Sequence, residues 1–249
     1  AEMRFADVLE SDYHRSGEGE QRSINPDFSQ EYAAWDKKST GGYFVLGTTS
    51  EALQSIGIDP ARIYWDKSKI KKILENPNHH METAIPKVPE LLEHPILIMQ
   101  SQTVLNRVVV LGEINDDMGY PVLCALELAP NGEINKFIKV ASAYGKDSRN
   151  GVQHLIDTSS ILYVDPNKNR TDSWLEARRL QLPVGLTNYG SIGRVTLLQK
   201  DVKGNYQISD DNPKKTAMQA AFEKAEKRSA QSQSMQNSDK NSSDGQKSY

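Results

Sequence analysis

Ile96-Leu-Ile-Met-Gln-Ser101, Arg107-Val-Val-Val-Leu-Gly-Glu-Ile114, Val122-Leu-Cys-Ala-Leu-Glu-Leu128 and Glu133-Ile-Asn-Lys-Phe-Ile-Lys-Val-Ala-Ser-Ala-Tyr144 form four runs rich in apolar and β-branched residues. Such runs favour extended backbone. The turn-forming sequences Asn115-Asp-Asp-Met-Gly119 and Pro130-Asn-Gly132 punctuate them, and short turns of this kind join antiparallel neighbours. The reading is an antiparallel β-meander.

Working outward, the upstream stretch changes period. Thr49 or Ser50 can cap a helix over Glu51–Ile56 that stops at Gly57, with Asp59-Pro60 closing the turn. Ile63-Tyr-Trp65 reads as a short strand. Lys67–Leu74 reads as a helix with Ile70, Ile73 and Leu74 on one face, ended by Asn76-Pro77-Asn78. Ile85, Val88, Leu91 and Leu92 recur at helical spacing over Ala84–Glu93, before His94-Pro95. Downstream, a helix at Asn150–Thr158, a strand at Ile161–Val164 and a helix at Thr171–Leu180 are expected. Helices that precede and flank a run of strands indicate an α+β domain.

The ends differ in composition. Residues 1–41 are dominated by Ser, Glu, Asp, Gln and Arg, with few groups to bury against the entropy of ordering. They read as a polar linker with a short helix at Gln30–Lys37. Residues 199–249 read as a polar helix at Lys214–Arg228 and a disordered Ser/Gln/Asn/Lys tail from Ser229 to Tyr249. The folded domain is therefore expected over residues 42–198. The opening Ala1-Glu-Met-Arg-Phe5 has neither an initiator methionine nor an apolar signal core, so fusion to further upstream domains is expected.

Composition limits the function classes. The 249 residues are 37% hydrophobic and 25% charged, ordinary values for a globular chain. The longest apolar stretches fall far short of the ~20 residues a bilayer-spanning helix needs, so no membrane role is expected. The single cysteine, Cys124, lies in an apolar run and reads as a small buried hydrophobe. A net charge of −3 gives no global attraction to nucleic acid, so any such binding must be local.

Phosphate loops, dinucleotide fingerprints, Cys/His metal spacings and nucleophile elbows are all missing from the sequence. No metal or cofactor is expected, and Asp116-Asp117 reads as a turn-forming pair. Three features carry polar chemistry. Asn78-His-His-Met81 presents histidine, a general acid or base at neutral pH, although a loop histidine without a positioned partner is inert. In Val140-Ala-Ser-Ala-Tyr-Gly-Lys-Asp147, alternation sets Ser142 and Tyr144 on one face with Lys146 past the strand end and Arg149 nearby. That group suits a phosphodiester; equally, Tyr144 can be core, Ser142 bonded to a neighbouring strand and Lys146 solvated. Arg178 and Arg179 end a helix, where cations suit the helix dipole; phosphate binding is the second reading.

Several patches occur in an order that resembles the phage MuF C-terminal domain family. They are Phe44-Val-Leu-Gly-Thr-Thr-Ser-Glu-Ala-Leu53, His79-x-Met81, Val88-Pro-Glu-Leu-Leu-Glu-His-Pro95, Ser142-Ala-Tyr-Gly-Lys146, Ile161-Leu-Tyr-Val-Asp165 and Leu180-Gln-Leu-Pro183. The resemblance spans Phe44 to Leu198 and implies kinship with barnase, EndoU, colicin and RelE-like nucleases of phage and mobile-element polyvalent proteins. It further implies a metal-independent endoribonuclease that uses 2′-hydroxyl attack, with His79, preferred over His80, as acid or base. Lys146 would stabilise phosphate charge, Ser142 and Tyr144 would bond the phosphate or position the base, and Arg149 and Arg178 would bind RNA. The implied substrate is RNA, with tRNA as one candidate, in a bacterial cytoplasm reached with phage or mobile DNA. A cognate immunity protein is the implied protein partner. The alternatives are a non-catalytic interaction module of a phage head or mobile-element protein, and an acidic immunity-type protein that binds a basic toxin.

Overall fold

A computed structural model describes residues 23–104, 106–128, 137–184, 186, 189–191, 198–200 and 206–208. In chain order these form α1 (Phe28–Ala34), β1 (Tyr43–Thr48), α2 (Glu51–Ser55), β2 (Arg62–Asp66) and α3 (Lys67–Glu75). A 3-10 turn (Ile85–Lys87) then leads into α4 (Val88–Glu93), followed by β3 (Leu97–Gln100), β4 (Arg107–Asn115), β5 (Pro121–Glu127) and β6 (Phe137–Gly145). A π-helical turn (Ser148–Val152) precedes α5 (Gln153–Thr158), β7 (Ile161–Val164), α6 (Lys168–Arg178), β8 (Gly190–Ser191), β9 (Leu198–Lys200) and β10 (Tyr206–Ile208).

The principal sheet has eight strands in the order β1-β2-β6-β5-β4-β3-β7-β8. The expected meander is present as β3 to β6, each strand antiparallel to the next. The expected order of helices followed by strands needs correction. β1 and β2 form an antiparallel hairpin ahead of the meander, and β2 joins β6 in parallel, from Arg62↔Phe137 to Tyr64↔Lys139. The sheet is thus mixed and mostly antiparallel, with helices interleaved among its strands.

Both faces of its centre are covered. On one side Phe44, Leu53, Ile63, Trp65, Ile70, Leu91, Val110 and Cys124 belong to one buried cluster, supplied by α1 to α4 and the strands. On the other, Leu97, Val109, Leu111 and Leu123 meet Val152, Ile156, Trp174 and Leu175 from the π turn, α5 and α6. This is why β4 and β5 read as continuous apolar runs: a strand covered on both sides has no solvent face to make polar. Gly112 meets side chains from both layers. A Cβ there would sit 2.7 Å from Leu91 Cδ1, and its carbonyl accepts the Trp174 indole N–H at 2.7 Å.

Arg170 fastens the second layer. Its guanidinium donates to Glu113 Oε2 (3.0 Å) and the His94 carbonyl (2.8 Å), and it pairs with Asp165, so α6 is tied to β4 and to both chain segments flanking β3 and β7. In β6 a bulge sets the register: Ala125 faces Ser142 while Leu126 faces Val140. The extra residue switches parity, so Val140 and Ala143 share the first cluster and Ser142 and Tyr144 turn to the opposite face.

Several expected boundaries shift for identifiable reasons. The linker expected over residues 1–41 is folded where it is described: Phe28, Tyr32 and Trp35 are buried, with Phe28 and Trp35 edge-on to Phe44 at 5.5 and 5.6 Å. Three aromatics bury enough area to dock a segment otherwise polar. The helix expected at Gln30–Lys37 is α1, shifted earlier. Pro86 and Pro89 divide the helix expected at Ala84–Glu93 into the 3-10 turn and α4, since neither proline can donate a backbone bond. The helix expected at Asn150–Thr158 opens with the π turn. That expected at Thr171–Leu180 begins earlier, where the Asn167 side chain accepts from Arg170 N (3.1 Å), and ends at Arg179 with φ 53°. β9 and β10 pair antiparallel at the start of the expected polar tail. The Pro130-Asn-Gly132 turn, the Lys214–Arg228 helix and the tail from Ser229 lie outside the described residues.

Among the described residues no helix is long and apolar enough to cross a membrane. Cys124 is a free, fully buried thiol, and burial pushes its pKa up to about 12. The native protein should therefore resist a thiol-specific chromogenic reagent at pH 8 and react once unfolded by denaturant; rapid reaction of the folded protein would contradict this packing.

Candidate functional site

The tip of the β4–β5 hairpin organises one end of the sheet. Asp116 folds the turn expected of it: its Oδ1 accepts from Met118 N (3.0 Å) and Tyr120 N (2.8 Å), and its backbone bonds Tyr120 and Gly119. Gly119 takes φ 83°, a conformation glycine adopts without strain. The Asp116 carboxylate also lies against the end of β6. A Cβ on Gly145 would fall 1.8 Å from Asp116 Oδ2, so only glycine fits at Gly145.

Asp117 reaches the opposite way, to the histidine loop. Its N–H donates to the His80 carbonyl at 2.8 Å, while its carboxylate accepts from Glu82 N (3.1 Å), Thr83 N (3.2 Å) and the Thr83 hydroxyl. These bonds cap the turn that leads into Ile85. The Thr83 hydroxyl, followed by the two amides, holds the Asp117 carboxyl below its ordinary pKa. On its other side the loop is anchored by Met81, which is fully buried, and by His79 N–H to the Asn76 carbonyl at 2.9 Å.

Between these anchors the His79 ring stacks on the Tyr144 ring, with centroids 5.8 Å apart and planes 17° from parallel. Among the described residues His79 Nδ1 is buried without a hydrogen-bond partner. His80 is exposed, and its carbonyl accepts from the turn. Of the two histidines, His79 alone meets a strand residue of the expected group.

Ser142 lies two residues before Tyr144 on the same face and is partly buried. Lys146 continues the chain past β6, its N–H donating to the Pro121 carbonyl at 3.0 Å. Its aliphatic stem packs against Gly151, where a Cβ would approach Lys146 Cγ to 2.5 Å. The Lys146 ammonium makes no ion pair among the described residues. Arg178 stacks over the Trp174 ring at 4.9 Å and donates to Asn115 Oδ1 at 2.8 Å. Burial lowers its pKa, opposed by Glu113; a guanidinium stays charged regardless. Because Asn115 pairs with Pro121, whose carbonyl accepts from Lys146 N–H, the Lys146 backbone lies about two strand spacings, ~10 Å, from the residue that Arg178 bonds. Arg149 is exposed on the π turn.

Sequence reasoning missed Asp117 and Thr83 as the holders of the histidine loop. An Asp-Asp pair signals a turn, but a carboxylate that caps a segment more than thirty positions away leaves no local mark. Among the described residues no group of three or more His, Cys, Asp or Glu side chains is placed to hold a metal ion.

Fold and site together define a mixed α+β domain whose polar groups gather at one end of a sheet covered on both faces. Residues 69–171 match the family model of the phage MuF-C-terminal domain, the family the sequence resembles. His79, Ser142, Tyr144, Lys146 and Arg149 fall within the matched stretch; Arg178 and the patches at Phe44–Leu53 and Leu180–Pro183 fall outside it. No curated protein and no solved structure matches the chain.

The Asp117 cap yields a pH dependence. Because its folded pKa is depressed, its contribution is fully present above the unfolded value of ~3.9 and is lost as pH falls through the lower folded value. At neutral pH, Asp117→Ala should cost about 1 kcal/mol, as for other carboxylate caps, and should speed amide exchange at Glu82 and Thr83. Unchanged exchange at those two amides would show that the cap does not hold the loop.

Proposed function

We propose that this domain is an endoribonuclease-type effector whose reacting centre is His79 stacked on Tyr144, beside Lys146. The observation that carries the reading is the pairing itself. The loop, the turn and β6 converge to hold one imidazole against one phenol at the rim of the sheet, with an ammonium two residues further along. The kinship with barnase and RelE-like nucleases that the MuF resemblance implies adds an argument by analogy alone.

The chemistry is transesterification. His79 takes the proton of the ribose 2′-hydroxyl as O2′ bonds to phosphorus, the P–O5′ bond breaks, and the departing 5′-oxygen is protonated by solvent. Lys146 stabilises the charge that builds on the phosphoryl oxygens, and Ser142 and Tyr144 donate hydrogen bonds to it. Arg149 and Arg178 flank the site as contacts for neighbouring phosphates. Positioning an attacking hydroxyl and neutralising phosphate charge are the two demands of such a step, and these residues meet both. The substrate in this reading is RNA in a bacterial cytoplasm, and a cognate immunity protein would be the protein partner.

Incubating the protein with total bacterial RNA in EDTA should give discrete products ending in cyclic phosphate. Loss of the base and of the cation should each lower the rate ~10²-fold or more in His79→Ala and Lys146→Ala. Folded wild-type protein that leaves RNA intact at high concentration would favour the interaction-module reading. Cleavage untouched by both substitutions would move the centre elsewhere.

A further inference from the structure

We infer that the exposed face of α3 is the track on which a single RNA strand lies as it enters the site. This inference rests on the endoribonuclease reading and names how its substrate is held. The chain carries a net charge of −3 overall, yet Ala61 to Asn78 holds Arg62, Lys67, Lys69, Lys71 and Lys72 against only Asp66 and Glu75. Both carboxylates are already engaged: Asp66 with Lys139 at 3.5 Å and Glu75 with Lys71 at 3.6 Å. Among the described residues Lys67, Lys69 and Lys72 have no carboxylate within ion-pair distance.

Burial of Ile70 and Ile73 fixes the rotation of α3 and turns Lys69 and Lys72 outward, where both are exposed. One helical turn apart, they are surface neighbours. Helix stability does not account for the full set. Lys72 suits the last turn, but Lys67 and Lys69 stand in a first turn that holds no acidic residue and where positive charge opposes the helix dipole; Asp66 at the N-cap is engaged by Lys139, and Asp36 acts on Lys67 only from beyond ion-pair distance. An external polyanion would relieve that opposition.

The track has two ends. At the α3 N-terminus the Lys67 ammonium sits 4.9 Å above the Phe44 ring, beside an open cleft of about 540 Å³ whose lining includes Glu31 and Asp36, so the strand is held from Lys67 onward and not in the cleft. At the C-terminus α3 runs into Asn76, whose carbonyl holds the His79 N–H. Phosphates lying along α3 would therefore lead directly to the imidazole. The helix is about 13 Å long at 1.5 Å per residue, enough for more than one phosphate.

The test is fluorescence anisotropy of a short 2′-O-methyl RNA, which cannot be cleaved, titrated with the full chain across a salt series. Lys69→Gln/Lys72→Gln should weaken binding and lower the slope of log K against log salt by about 1.4, roughly 0.7 per lost phosphate contact on a single strand. Lys168→Gln, an exposed lysine on α6, should change neither. An affinity and slope equal to wild type in the double variant would overturn the track; if His79→Ala still abolished cleavage, the endoribonuclease reading would stand without it. No RNA binding by wild-type protein would remove both. Loss, in the same double variant, of binding to an acidic protein instead of RNA would reassign the face to a protein partner.

Discussion

Burial of β4 and β5 on both faces is the constraint from which the rest of the structure follows. Strands that meet helices above and below must be apolar along their length, so their middles offer no place for polar chemistry. Charged and hydroxyl-bearing groups are displaced to the strand ends. Here one end gathers Asp116, Asp117, Tyr144 and Lys146 around the β4–β5 turn. The concentration of candidate residues there follows from the architecture.

That turn joins three separate pieces of chain by two adjacent carboxylates. Asp116 closes the hairpin and lies against the only residue type that the end of β6 admits, while Asp117 caps the segment after the histidines. The β6 bulge completes the arrangement. Were the same residues to alternate strictly, with no bulge at Ala141, Tyr144 would share the face of Val140 and turn into the first core instead of meeting His79.

The sequence exposes this fold unevenly. The meander was legible because apolar runs and the turn signal at Asn115–Gly119 are local, as was the burial of Cys124. The parallel joining of β2 to β6 was not, since nothing near Arg62 or Phe137 marks a partner so distant. Phe28, Tyr32 and Trp35 were hidden by polar neighbours, although three large rings suffice to bring a segment into a core. For the candidate site, the residue types and the shared face of Ser142 and Tyr144 could be read from alternation. The contact between His79 and Tyr144 could not, because it depends on Asp117, whose capping role exists only once the chain has folded.

The pairing of β2 with β6 also orders events during synthesis. The β1–β2 hairpin emerges first, yet its inner edge has no neighbour until β3, β4 and β5 have been made and β6 follows. Contacts between such distant segments carry a loop-closure cost before they return any stability. The nascent hairpin must therefore wait with an open edge until β6 joins it to the meander. The strand that joins the hairpin to the meander also carries Ser142 and Tyr144, so the rim where these groups gather takes shape only once that joint has closed.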